Sequence, residues 1–457
     1  MAAMYTVQNF LGLLLAALLA IPALAQESAA TKQVQDLMKR AARAENEGST
    51  AFVHAETYYE EALALAPEDA QLNMRMGLCQ LNGPHRHKAL PYFEKAALVA
   101  PTTPRLQFLL GFALQLHARW DDAILAYQRH KRASDLLDPD PLYNSADKLI
   151  AECRNGRSLM AAPVQVQVTN MGSAVNTPQA DYGALVSADG STLLFTSRRP
   201  VGASSKVNKV TGDHFEDVYL SHAGATGWST AERLPAPANT DGNDASVGLS
   251  VDGRTMLVYR DDSGGGDLFE SNCDDGVWTE PVILGPNVNT KAHESSAWFS
   301  SDRQWIYFVS DRPEDKVGGQ DIYRSQWDAT TNQWGMAENL GPVVNSIHDE
   351  EGVFLHPDGK TLYFSSKGHT SMGGYDIFRT RLENGVWTKP ENLGWPINSP
   401  DDDLFFALTE SGTDGYFSSF RPDGSGEDDI YHVNFAPAAL NTETTTQATP
   451  TLEPAAK

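Results

Sequence analysis

The sequence predicts an α+β multidomain chain: an all-α solenoid of helical repeats, then an all-β five-bladed propeller closed by an N-terminal strand. Three observations predict this. A helical pattern repeats every 34 residues within positions 31–160. A β-type sentence, from a turn to Asp-Ile-Tyr or a close variant, occurs five times within 163–435. One piece belonging to the end of that sentence stands alone before its first copy.

Residues 1–25 come first. The apolar run from Phe10 to Leu24 is too short for a stable membrane span. It ends in Ala23-Leu24-Ala25, a small-x-small pattern that reads as a secretory signal peptide cut after Ala25, although Lys and Arg are missing ahead of it. No Cys follows the run, so no lipid anchor is expected, and no later run reaches membrane length. The mature chain is expected to be exported, periplasmic or outer-membrane associated, without a transmembrane segment.

The 457 residues are enough for two or three domains. The formal charge is −24. Nucleic acid is excluded as a partner class, because a duplex-binding surface must be basic to displace counterions. Cys79, Cys153 and Cys273 are scattered, with no Cys-x-x-Cys pair, and read as free thiols.

In the helical part, Ala55, Tyr59, Ala62 and Pro67 recur as Ala89, Phe93, Ala96 and Pro101, and Gly77 recurs as Gly111. This is the tetratricopeptide (TPR) pattern: small residues let two helices approach, an aromatic fills the next gap, and Pro ends the second helix. Repeats are expected at 36–69, 70–103 and 104–137, with a capping helix ending near 160. A groove for peptides or proteins would use Asn82, Arg105 and Gln115. The His-Arg-His at 85–87 lies in an inter-helix turn and reads as solvated, not as a metal site.

In the β part, "DGSTLLFTSRR", "DGRTMLVYRDD", "SDRQWIYFVSDRP", "DGKTLYFSSKG" and "GTDGYFSSFRP" each lead to an acidic-apolar strand. These strands begin at Asp217, Asp267, Asp321, Asp376 and Asp429. Each copy is preceded by an acid and a short apolar strand. The first four are followed by Trp228, Trp278, Trp334 or Trp387, then by Asn239, Asn289, Asn345 or Asn398. One unit is therefore four short strands, a propeller blade. The fifth copy lacks the Trp-to-Asn piece. "VQVQVTNMGSAVNT", with Asn176 in the Asn position, supplies it from in front of the first copy and removes two open sheet edges. The repeated Asp is expected to tie loop to strand, since architecture needs five copies and a catalyst usually needs one. Residues 436–457 are rich in Thr, Ala and Pro and read as a disordered tail.

The acids before each first strand, Asp181, Asp244, Glu294, Glu350 and Asp402, would ring the channel mouth. Such a ring could hold Ca²⁺ or serve glycoside chemistry, or each acid could bond locally. The first blade carries an insertion with Arg198, Arg199, Lys206 and Lys209, read either as a contact loop in an acidic protein or as a tolerated surface insertion. No G-x-S-x-G, H-E-x-x-H or P-loop motif occurs.

The helical repeats running into these "DG-x-T-L-x-F-S-S" blades resemble the TPR–propeller–OmpA-like envelope proteins of Bacteroidota. These include the PorE-type peptidoglycan-associated component of type IX secretion, and the blades resemble the WD40-like, TolB-related kind. The resemblance covers about residues 31–435 and implies a periplasmic, non-catalytic scaffold without cofactor, binding envelope proteins in a secretion or cell-wall complex. The expected departure is the missing OmpA-like domain, which removes direct anchoring to peptidoglycan. The competing expectation is a carbohydrate-binding or glycoside-processing propeller with an acidic funnel.

Overall fold

The computed structural model describes residues 29–46, 52–134, 143–202, 206–208, 212–225, 227–261 and 265–435. The expected signal peptide, the expected tail and Lys209 lie outside the described residues. Among the described residues seven α-helices come first: α1 (Ala29–Glu45), α2 (Phe52–Leu65), α3 (Ala70–Asn82), α4 (Leu90–Val99), α5 (Pro104–Leu116), α6 (Trp120–Ser134) and α7 (Tyr143–Ala161). The small positions do what their size suggests. A Cβ on Gly77 would sit 2.6 Å from the Phe93 ring, and one on Gly111 would sit 2.7 Å from the Tyr127 ring. Ala55, Ala62, Ala89 and Ala96 are wholly buried beside Tyr59 and Phe93. No helix among the described residues is long and apolar enough to cross a membrane.

Twenty-four strands among the described residues then form five antiparallel blades. The innermost strands are β2 (Asp181–Val186), β7 (Asp244–Leu249), β12 (Glu294–Phe299), β17 (Glu350–Leu355) and β22 (Asp403–Leu408). In the first four blades the outer strand comes in two short pieces. In the fourth blade Val386–Trp387 and Glu391–Asn392 both pair with β19 (Asp376–Glu383). Between them lies Pro390, which has no N–H to donate to the ladder. The fifth blade has the order β1-β24-β23-β22, where β23 is Asp414–Ser419. Here β1 (Gln167–Asn170) runs antiparallel to β24 (Asp429–Asn434), with Gln167 opposite Asn434 and Asn170 opposite Tyr431. The ring closes with the segment that follows the helices.

The repeated polar residues tie each blade to itself. Asn345 donates to the Ile322 carbonyl at 3.0 Å and accepts the Ile322 N–H at 2.8 Å, so its side-chain amide stands in for a strand peptide. Asn239, Asn289, Asn398 and Asn176 do the same for Val218, Leu268, Ile377 and Ile430. Asp376 accepts the Met372 N–H and the Asn392 amide, and Asp429 accepts Ser425 N–H and Asn170 in the same way. The apolar core runs between the blades through Leu194, Val258, Phe364 and Phe417.

Candidate functional site

Each innermost strand begins with a backbone bond to the preceding blade. The N–H groups of Asp181, Asp244, Glu294, Glu350 and Asp403 donate to the carbonyls of Asp428, Glu216, Gly266, Gln320 and Tyr375 at 2.7–3.1 Å. These bonds circle the axis and define one rim of the ring.

The strand-start acids do not line an open mouth. Asp181, Asp244, Glu294 and Glu350 have no exposed surface. Each accepts an N–H from four residues back, at Thr177, Thr240, Thr290 and Ser346. In the fifth blade Asp403 takes this role, accepting from Ser399, so Asp402 was one position early in the repeat. The run of three acids at 401–403 hid the register. Arginines complete the sites: Arg199 reaches Asp181 at 2.6 Å, Arg260 reaches Asp244 at 2.6 Å, Arg312 reaches Glu294 at 3.2 Å and Arg421 reaches Asp403 at 3.1 Å. Arg199 is therefore an internal tie, not part of a contact loop. Arg198 is also buried, paired with Glu216 at 2.7 Å and Asp213 at 3.1 Å. Of the described insertion cations, Lys206 is exposed and pairs with Asp241.

The fourth blade departs from this scheme. Gly368 stands where Arg199, Arg312 and Arg421 stand, and a Cβ there would meet Ser346 Oγ at 2.1 Å. His369 Nε2 donates to the Val344 carbonyl at 2.9 Å, the contact that Arg199 makes with Val175. Nothing replaces the charge, and burial pushes the Glu350 carboxyl up to about 8. Burial also raises Asp181, Asp244 and Glu294, and pushes Asp403 up to about 6. With these oxygens engaged inside the blades, the Ca²⁺ ring loses its ligands. Among the described residues no group of three or more His, Cys, Asp or Glu is placed to hold a metal ion.

The axis itself is narrow. Between Gly183, Ser246, Trp298, Gly352 and Phe405 the free volume is about 20 Å³. Phe405 takes the position of Gly183 and Gly352, with φ of 55° against their 65° and 59°, and stacks on Tyr182 at 5.6 Å. A side chain in the left-handed region is strained. Here it fills the channel.

The rim of the fifth blade is where the helices meet the ring. Arg86, in the turn between α3 and α4, donates from Nη1 to Asp401 Oδ1 at 2.8 Å. Its guanidinium carbon lies 4.2 Å from the centre of the Phe420 ring. The His87 ring lies 5.7 Å from Phe420, and burial with Arg86 nearby holds His87 down at about 4. This is the turn expected to be solvated. It docks instead because a carboxylate and an aromatic face await it. Asn155 on α7 donates to the Ser371 carbonyl, and Met372 is buried among helical residues. Beside the junction lies a cleft of about 450 Å³, lined by His117, Met160, Trp395, Phe420, Asp423 and Tyr431 among others.

The three expected groove residues are not brought together as a surface. Gln115 is buried, donating to Glu152 and accepting from Tyr127. Asn82 turns back on Leu78 within its own helix, and Arg105 is half-buried at the start of α5. Sequence reasoning missed Arg86, Asp401, Phe420 and Asp428. The usable signal was acid beyond the repeat's needs in "DDD" at 401–403 and "EDD" at 427–429.

No family model matches the chain, and no curated protein matches it. Solved structures similar to it include a TolB-type protein from Agrobacterium tumefaciens, 20% identical over 56% of this chain and 78% of that one, with a TM-score of 0.35. TolB from Acinetobacter baumannii is 14% identical over 65% and 71%, with a TM-score of 0.32. An α-L-arabinofuranosidase from Lactobacillus brevis is 14% identical over 56% and 90%, with a TM-score of 0.36.

Proposed function

We propose that the protein is an exported, non-catalytic scaffold of the cell envelope, holding protein partners on its helical array and its propeller. The carrying observation is the junction at Arg86, Asp401 and Phe420, which presents two repeat modules to partners as one unit. The 34-residue spacing, with Gly77 and Gly111 under Phe93 and Tyr127, supports reading the helices as TPR repeats. The Ala23-Leu24-Ala25 pattern supports export. The strand-start acids are engaged in bonds inside their own blades, which favours architecture over catalysis. A secretion or cell-wall-associated complex is the setting that the sequence resemblance implies.

One observation favours the carbohydrate reading. Burial pushes the Asp428 carboxyl up to about 6 and Glu427 up to about 7, the range of a general acid. Against it, neither acid lines the space between Gly183, Ser246, Trp298, Gly352 and Phe405, where about 20 Å³ is in any case too little for a sugar ring. The test is affinity capture from envelope extract, then titration of any recovered protein in pure form, alongside an assay for glycan cleavage. Saturable binding of a purified partner is the expected result. Sugar release with no partner recovered overturns the scaffold reading.

A further inference from the structure

Arg86 sits in a setting built for its functional group. The aromatic face of Phe420 lies 4.2 Å from its guanidinium carbon, and Asp401 Oδ1 accepts from Nη1 at 2.8 Å. Asp402 and Asp428 add negative potential. A planar cation over a ring and against a carboxylate is the arrangement that distinguishes arginine from lysine.

The fit is incomplete in two respects. Asp401 is 4% exposed, and its Oδ2 has no hydrogen-bond partner. Arg86 Nε is buried without an acceptor. A guanidinium carries five donors, and here one meets a carboxylate.

Charge also exceeds what Arg86 supplies. Arg198 answers Glu216 and Asp213 in the first blade, and Lys367 answers Asp349 in the fourth. Among the described residues no ion pair reaches Asp402, Glu427 or Asp428. Asp402 gives one oxygen to the Tyr375 N–H. Asp401, Asp402 and Asp428 thus act together on one guanidinium.

The occupant is carried on a short element. Arg86 belongs to the three-residue 3₁₀ turn Arg86–Lys88, after Gly83 and Pro84, and not to the helical core. Alongside the contact that α7 makes through Asn155, this turn reaches the ring from a loop, and contacts between domains of one chain are the kind that open and close.

We propose that the rim of the fifth blade is a guanidinium pocket, which exchanges Arg86 for an arginine presented by a basic segment of a partner protein. Arg86 holds the pocket in cis, so the free protein is closed at this rim. A partner's arginine makes the same contact with Phe420 and Asp401 and can engage Asp401 Oδ2 as a two-pronged pair, which is stronger than a single bond. Only the ownership of that arginine rests on the scaffold reading.

The experiment uses the full mature chain as wild type and as Arg86→Ala, Arg86→Ala/Asp401→Asn and Arg86→Lys. The probes are N-acetyl-arginine amide and N-acetyl-lysine amide, titrated by calorimetry. Emptying the pocket should tighten arginine-amide binding about tenfold over wild type, with lysine amide about fivefold weaker than arginine amide. The added Asp401→Asn should remove the gain. Should Arg86→Ala fail to fold, Arg86→Lys keeps a cation in the turn. Its melting temperature should then rise with arginine amide and not with lysine amide. Equal binding by wild type and Arg86→Ala, or equal responses to the two amides, overturns the pocket. A flat titration leaves the scaffold reading intact, and failure to capture an envelope partner leaves a positive titration standing.

Discussion

Asn176 and Ile430, 254 residues apart in the chain, exchange two hydrogen bonds of 2.9 Å each across the seam of the ring. The same exchange occurs within single blades, as between Asn345 and Ile322. Only at the seam does it join the two ends of the propeller.

Asn176→Ala and Asn345→Ala should therefore each destabilise the protein by about 1–3 kcal/mol, because each leaves a buried peptide group unpaired. Urea unfolding measures this. Hydrogen exchange separates the two variants: the amides of Thr169 and Met171, which face β24, should lose protection in Asn176→Ala and keep it in Asn345→Ala. Equal protection in both would contradict a seam held by Asn176.

Glu350 makes stability depend on pH. Its carboxyl lies at about 8 in the folded protein, against roughly 4.3 when unfolded, so the folded state binds the proton more tightly. The stability this contributes is complete below about pH 4 and is lost as pH rises through about 8. Glu350→Gln should flatten this fall, which is on the order of a few kcal/mol. Melting curves from pH 5 to 9 for the two proteins provide the comparison. Parallel curves would mean that Glu350 is ionised throughout.

Gly111→Ala tests the helical packing. The new methyl would sit 2.7 Å from the Tyr127 ring, so helix and ring must separate. Although alanine favours helix, a loss of about 1–3 kcal/mol is expected from overpacking. A higher melting temperature would show that the contact is slack.

The thiols should react in order. Cys79 and Cys153 are buried, and desolvation pushes both upward, while Cys273 is partly exposed. One thiol should label quickly in the native protein, and two more only in denaturant. Mass mapping should place the first label on Cys273.

The ring was legible because its residues repeat. Asp376 and Asn398 serve backbone groups that every blade must satisfy, so their spacing is written into each copy. The borrowed strand was legible for the same reason, since Asn176 stood without a blade of its own. The rim was not legible, because what matters there occurs once. Asp402 and Asp403 are indistinguishable by residue type, and only the Ser399 N–H shows which one keeps the register. Arg198 and Arg199 looked free because their partners, Glu216 and Asp181, lie 18 positions away in opposite directions along the chain. Gln115 matched the position expected of a groove residue, but the burial that pairs it with Glu152 depends on α7, which follows the last repeat. Arg86 and Asp401 are 315 residues apart, a pairing that no local pattern encodes.

The borrowed strand also sets a load path. Tension applied to the helices passes through α7 into Gln167–Asn170, the four residues that grip β24. Once the contacts of Arg86 and Asn155 with the ring have let go, any force that a tethered partner exerts on the helical half is borne by that short ladder. Its rupture would unfasten the last blade while the other four remain zipped within themselves.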